Sequence, residues 1–254
     1  MNRSVRFRSI RGFSVVELMV AVAISVFLLI GLFTILQSTR KGSDNERVMT
    51  QLQDNERVAM VLLGNVIESA GYYSDALTQD LTTQLPVSAN FAQAGQAVVG
   101  GNDANGDNVT LRYQAKAADG VLNCQGTTVG TGRYENKFSI VPTGDTLAGL
   151  AENELVCSIN GGAAVPLVRG IQTLAITYGV GSAAPSPNQL GPVDAYLTSA
   201  QMTALYWTNV YTIKVNLTFI NPLYGQPGQT SKTISFSRIF SLKSRTGVNS
   251  ATIT

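Results

Sequence analysis

The 254-residue sequence contains no histidine. It therefore offers no imidazole base and no histidine-ligated metal, which removes the commonest acid–base group from any catalytic reading. Charge of any kind is scarce, at 13% of the residues. The net charge of +2 is not a general basic character. Arg3, Arg6, Arg8 and Arg11 stand without an acid in residues 1–12, and the rest of the chain holds 14 basic residues against 16 acids. Basic charge confined to the first dozen residues suits a membrane-targeting segment. It gives little support for a nucleic-acid-binding surface, so no nucleic-acid partner is expected.

Cysteine is limited to Cys124 and Cys157. If the part of the chain that holds them is exported, it meets an oxidising compartment and one disulfide is the expected state, with two separate buried thiols as the alternative. Proline is missing from residues 13–71, so nothing there forces a helix to break.

What is present begins with a long apolar run. Leu18–Leu36, LMVAVAISVFLLIGLFTIL, is 19 residues without a charge. As a helix it matches the thickness of a bilayer core. Four arginines precede it and only Arg40-Lys41 follow directly, so the positive-inside bias places the N-terminus in the cytoplasm. The run is too long for an ordinary secretory signal, and no small-residue cleavage pattern closes it. Glu17 is the anomaly. An ionised carboxylate in an apolar stretch costs several kcal/mol unless it is paired, and the following helix turns offer no cation.

The helical period continues beyond the apolar run. Val48, Leu52, Ala59, Leu62, Leu63, Val66 and Ala70 recur at three- and four-residue steps with charged and amide side chains between them. This predicts an amphipathic helix with one face against a domain. Gly71 is its expected C-terminal cap. Bends are considered at Gly31 and around Lys41-Gly42-Ser43, where Asp44 would cap a restarted helix.

After residue 72 the period changes to short β-rich runs separated by Gly, Pro, Asn and Ser. Strands are predicted over Val109–Ala115, Tyr134–Val141, Glu154–Ile159, Val165–Gly179, Val210–Phe219 and Ile234–Leu242, the fourth with a bulge at Arg169-Gly170 or a break into two. A helix followed by antiparallel strands is an α+β arrangement, with the helix stripe covering a sheet.

The eight residues Arg11-Gly12-Phe13-Ser14-Val15-Val16-Glu17-Leu18 resemble the prepilin processing site of type IV pilins and type II secretion pseudopilins. The resemblance implies that a prepilin peptidase cuts between Gly12 and Phe13 and that Phe13 becomes N-methylated. It also implies that Glu17 meets the new ammonium of a neighbouring subunit, turning two costly charges into one pair. Three segments are then expected: a cleaved basic leader over 1–12, a long helix over 13–71, and a β-rich head over 72–254. Within the helix, 13–37 would serve as transmembrane segment and filament core, and 44–71 as the amphipathic part. Many pilins carry a proline in the apolar half, where this chain has Gly31 and Thr34.

Further motifs are similar to PilW-type minor pilins. They are Arg57-Val58-Ala59-Met60 through Ala70-Gly71-Tyr72, Asn102–Asp107 with Arg112-Tyr113, Leu167-Val168-Arg169-Gly170-Ile171 with Tyr178-Gly179, Asp194-Ala195-Tyr196, and Trp207. The resemblance implies a minor structural subunit of a type IV pilus that helps begin assembly near the tip, or else a type II secretion pseudopilin. It implies no enzyme activity and no cofactor. The implied partners are other major and minor pilins, the prepilin peptidase, the inner-membrane assembly platform and a tip adhesin. Such a chain is a single-pass inner-membrane protein before assembly and a cell-surface pilus component after it. A membrane-anchored domain that never polymerises would leave Glu17 unexplained.

Three smaller patterns have local readings. Asp103, Asn105 and Asp107 alternate as calcium ligands do, but Gly106 takes the fourth position and no glutamate closes the loop. A polar turn is the preferred reading, and calcium the alternative. Gly126–Gly132 has phosphate-loop glycines but no lysine and no following helix. Tyr206, Trp207 and Tyr211 form an aromatic cluster expected in the core or at a sheet edge, with an exposed partner patch as the alternative.

Overall fold

The computed structural model describes residues 12, 14–76, 78–181 and 193–246. Helix α1 runs over Val15–Ser69. It passes through Gly31 and through Lys41-Gly42-Ser43-Asp44 without leaving helical geometry, so the considered restart at Asp44 does not occur. One glycine in a helix costs only about 1 kcal/mol, and propagation from good helix on both sides outweighs it. The chain divides into two units, residues 1–48 and residues 49–254. The second unit thus begins inside α1, and the last turns of the helix belong to the β-rich head.

The head is one antiparallel sheet of eight strands: β1 (Val98–Asp103), β2 (Gly106–Ala115), β3 (Gly132–Leu147), β4 (Leu150–Ile159), β5 (Val165–Val180), β6 (Ala195–Leu197), β7 (Val210–Ile220) and β8 (Thr233–Ser241). The order is β1-β2-β3-β4-β5-β7-β8, and β6 pairs with the end of β5. Short helices α2 (Leu81–Gln84), α3 (Ala204–Thr208) and α4 (Lys243–Thr246) lie in the connections. All six predicted strands are present within a few residues, apart from the continuation of β3 past Val141. The bulge in β5 falls at Gly170: Asn153 pairs with Ile171 and Glu154 with Arg169, leaving Gly170 unopposed. Its φ of 84° is a conformation that glycine adopts without strain.

The sheet curls until its first hairpin reaches its middle strand. Strand β5 pairs with β4 only as far as Ile171 and with β6 only from Tyr178. Between those pairings the Ile176 N–H donates to Asp107 Oδ2 at 2.7 Å, and a Cβ on Gly106 would lie 3.0 Å from the Leu174 carbonyl. The tip of the β1–β2 hairpin therefore fills the gap along β5.

The C-terminal turns of α1 join the two ends of this curl. Leu52, Ala59, Met60, Leu63, Val66, Ile67 and Ala70 are buried in the core. Met60 and Ile67 widen the predicted stripe, whereas Val48 and Leu62 are only half-buried. Gly64 faces β8, where a Cβ would stand 2.6 Å from Phe240 Cε1. After the helix, Ser244 Oγ donates to the Ala70 carbonyl at 2.7 Å, and Gly71 N–H donates to the Arg112 carbonyl on β2 at 2.9 Å. Gly71 has φ 77°, the left-handed cap expected of it.

Candidate assembly helix and head anchors

The N-terminal part of α1 is apolar on every side. Each large apolar side chain from Val15 to Leu36 is at least 49% exposed. Its two hydroxyls are satisfied within the helix: Ser25 Oγ donates to the Ala21 carbonyl at 2.7 Å and Thr34 Oγ1 to that of Ile30 at 2.9 Å. The stretch offers an apolar environment no unpaired side-chain donor, and it is long and apolar enough to cross a membrane.

Ser14 starts the helix. Its Oγ accepts from Val16 N–H at 3.3 Å and its carbonyl from Leu18 N–H at 3.1 Å. Glu17 lies exposed in the first turn, three residues after that cap. Ser-x-x-Glu is the letter pattern of a capping box, and the positive helix end favours a carboxylate there by about 0.3–1 kcal/mol. Burial of the same charge in an apolar medium costs several kcal/mol. The helix end alone therefore does not make Glu17 tolerable among apolar neighbours. Gly12 is exposed, and nothing lies within 4 Å of where its Cβ would be. Phe13 and the leader arginines lie outside the described residues.

In the head, Cys124 and Cys157 form a disulfide with Cα atoms 6.2 Å apart. It staples the β2–β3 connection to β4, and both cysteines are fully buried. Asn105 lies in the two-residue β1–β2 turn, Asp103 ends β1 opposite Gly106, and Asp107 on β2 pairs with Asn102. Asp107 accepts from Asn102 Nδ2 on one oxygen and from Ile176 N–H on the other, both at 2.7 Å. This carboxylate is committed to the hairpin and its dock on β5. Trp207 packs against the core and meets Tyr178 edge-on with ring centroids 4.9 Å apart, and Tyr211 is buried. Asn123 orders the connection that leads into the Gly126–Gly132 run: its Oδ1 accepts from Gln125 N–H at 2.9 Å and Thr127 N–H at 3.1 Å.

One anchor carries more than its motif letters indicate. Arg112 on β2 is 3% exposed, and it donates to four backbone carbonyls: Gln96 and Pro86 at 2.6 Å, Leu85 at 3.1 Å and Gln93 at 3.2 Å. Its guanidinium lies 4.2 Å from the centroid of the Phe91 ring. Burial lowers its pKa to about 10, against a smaller raising effect of Glu135, so it stays charged at neutral pH. Arg112 thereby pins segment 85–96 across the outer face of β1–β4. In the sequence Arg112 stood out only as part of the Arg112-Tyr113 motif, because its partners are carbonyls, which leave no letters.

Residues 141–239 match the family described as type IV pilus-assembly protein W. That range holds the end of β3, all of β4–β7 and most of β8. It includes the motifs at Leu167–Ile171, Tyr178-Gly179, Asp194–Tyr196 and Trp207, and none of the N-terminal helix. This part of the head is similar to PilW-type pilus-assembly proteins. A type IV-like pilin from Thermus thermophilus has a remotely similar structure, with TM-score 0.42 and 12% identity over 76% of this chain and 96% of that one. No curated protein sequence matches the chain. In the PilW-like head the matched bulge at Gly170 sits beside Arg169, which pairs with Asp145 at 3.4 Å and Glu154 at 3.6 Å and so ties β5 to β3 and β4.

Proposed function

We propose that the chain is a minor, non-enzymatic subunit of a type IV pilus that helps begin assembly and resides near the filament tip. The observation that carries this reading is the apolar start of α1, exposed on all sides and holding one carboxylate, joined to a PilW-like head. Before assembly that helix spans the inner membrane with the N-terminus in the cytoplasm. A prepilin peptidase removes residues 1–12, and Phe13 is methylated. In the filament the helix packs among those of other major and minor pilins, and Glu17 pairs with the ammonium of an adjacent subunit. That pair supplies the compensation that the helix end lacks. The assembly platform receives the processed subunit, and a tip adhesin is a further partner.

The test is the N-terminus of the membrane-extracted protein. Mass spectrometry is expected to find N-methylated Phe13 as the first residue, and replacement of Gly12 by a bulky residue is expected to leave the full precursor. Normal cleavage of that variant, or a wild-type chain that keeps residues 1–12, contradicts the assigned processing.

A further inference from the structure

The outer face of β1–β4 carries a polar cluster outside the proposed assembly helix. Cross-strand pairing sets Val99 opposite Thr110, Thr110 opposite Lys137, Lys137 opposite Ser158, and Gly101 opposite Asn108. Directly paired residues project from the same face of a sheet. They line a pocket of about 360 Å³, walled by Ala89 and Asn90 on the pinned segment and by Gly161. Glu135 completes the lining.

Two of these side chains are largely buried with their polar ends open to the pocket. Asn108 is 8% exposed and Thr110 is 9% exposed. Neither has a side-chain hydrogen-bond partner among the described residues, and both face the pocket. Their polar atoms are not sealed from solvent, so they stand as open donors and acceptors for whatever enters the concavity.

The wall opposite them is fixed in advance. Arg112 holds the segment from inside through its four carbonyls. At the rim, Glu135 accepts from Ser88 Oγ at 3.1 Å on one oxygen and from Asn90 Nδ2 at 2.7 Å on the other. Both Glu135 oxygens are thus directed to the wall, although the carboxylate keeps its charge, and Lys137 is the pocket's cation, without an ion-pair partner among the described residues. Gly101 keeps the floor open, since a Cβ there would press within 3.2 Å of Asn108 Oδ1. The lining has no aromatic residue, and its apolar members are Val99, Ala89 and glycines. Pockets for drug-sized ligands run from about 300 to 1,000 Å³ and are mostly apolar; this one is at the lower end of that size and has a largely polar lining. A small, hydroxyl-rich ligand with one negative group fits this one.

We propose that this pocket binds an acidic sugar, one uronic-acid residue of a glycan. Its hydroxyls pair with the Asn108 amide and the Thr110 and Ser158 hydroxyls, and its carboxylate with the Lys137 ammonium. The pocket lies wholly within the head, so binding there does not depend on polymerisation.

The test uses the full chain in detergent micelles, with methyl β-D-glucuronide as the probe. Methyl β-D-glucoside serves as its neutral counterpart and inorganic phosphate as the bare anion. Titration calorimetry and saturation-transfer NMR are expected to show saturable glucuronide binding, at least tenfold weaker glucoside binding and no displacement by equimolar phosphate. Lys137→Gln and Thr110→Val are each expected to weaken glucuronide binding at least tenfold. Lys137 is half-buried and makes no ion pair among the described residues, so its variant is the one expected to leave folding intact, as thermal unfolding will show. No saturable binding, equal binding of glucoside, displacement by phosphate, or wild-type affinity in Lys137→Gln would each overturn the proposal.

Discussion

Tyr178 on β5 occupies the space where a side chain on Gly100 of β1 would begin. The two residues are 78 positions apart in the chain, and they meet because the sheet curls its first hairpin over its middle strand. Trp207 holds the tyrosine ring from the side, so the ring has little room to yield. Gly100→Ala is expected to destabilise the head by about 1–3 kcal/mol through overpacking. Denaturant unfolding of the full chain in detergent checks this, and an unchanged midpoint would mean that the curl is looser than described.

The Tyr178 hydroxyl is buried and has no hydrogen-bond partner among the described residues. Removing it in Tyr178→Phe is expected to raise stability by roughly 1 kcal/mol, because an unpaired buried group is lost with its desolvation cost. Burial, and secondarily Asp107, raises the pKa of Tyr178 above its ordinary value of 10.0. Burial raises Tyr72 and Tyr113 as well. The unfolded chain then loses these protons near pH 10 while the folded chain keeps them. Their contribution is present below that pH and declines as pH rises above it. Unfolding measured from pH 8 to 11 is expected to show stability falling above about pH 10, with a smaller fall in Tyr178→Phe.

How much of this was legible in the sequence depends on the range of the interaction. The amphipathic turns of α1 and the strands from Val109 onward announce themselves through period and β-branched residues. Strand β1 does not, because Val98-Val99-Gly100-Gly101-Asn102-Asp103 reads as a loop. Its glycines answer to Tyr178 and Asn108, which only the folded register brings near. Strand β6 has three residues and borrows its pairing from β5. The proposed processing motif is contiguous in the sequence. The pocket is not, since Asn108, Thr110, Lys137 and Ser158 come from three strands and meet through cross-strand alignment.

Arg112 offers a test of the pinned segment. Lysine keeps the charge but has one ammonium in place of a planar fork, and it cannot serve four carbonyls at once. Arg112→Lys is expected to cost at least ~2 kcal/mol. The loss should appear locally first, as faster amide exchange and easier proteolysis over residues 85–96. Unchanged exchange there would show that the segment is held by other contacts.

The disulfide closes a separation of 33 residues. In the chain-entropy model its removal costs roughly 3–4 kcal/mol. A Cys124→Ala/Cys157→Ala variant is expected to unfold at correspondingly lower denaturant. Alkylation of the wild-type chain under denaturing, non-reducing conditions should label neither cysteine. Two labelled thiols would contradict the pairing.

The most direct test of the assembly account compares sheared filaments from cells expressing wild-type protein and Glu17→Ala, with this subunit quantified against the other pilins by mass spectrometry. The account predicts wild-type protein at low stoichiometry, and a variant that is processed and membrane-inserted yet depleted from the filaments. Equal incorporation of the variant, or wild-type protein found in membranes but never in filaments, would contradict it.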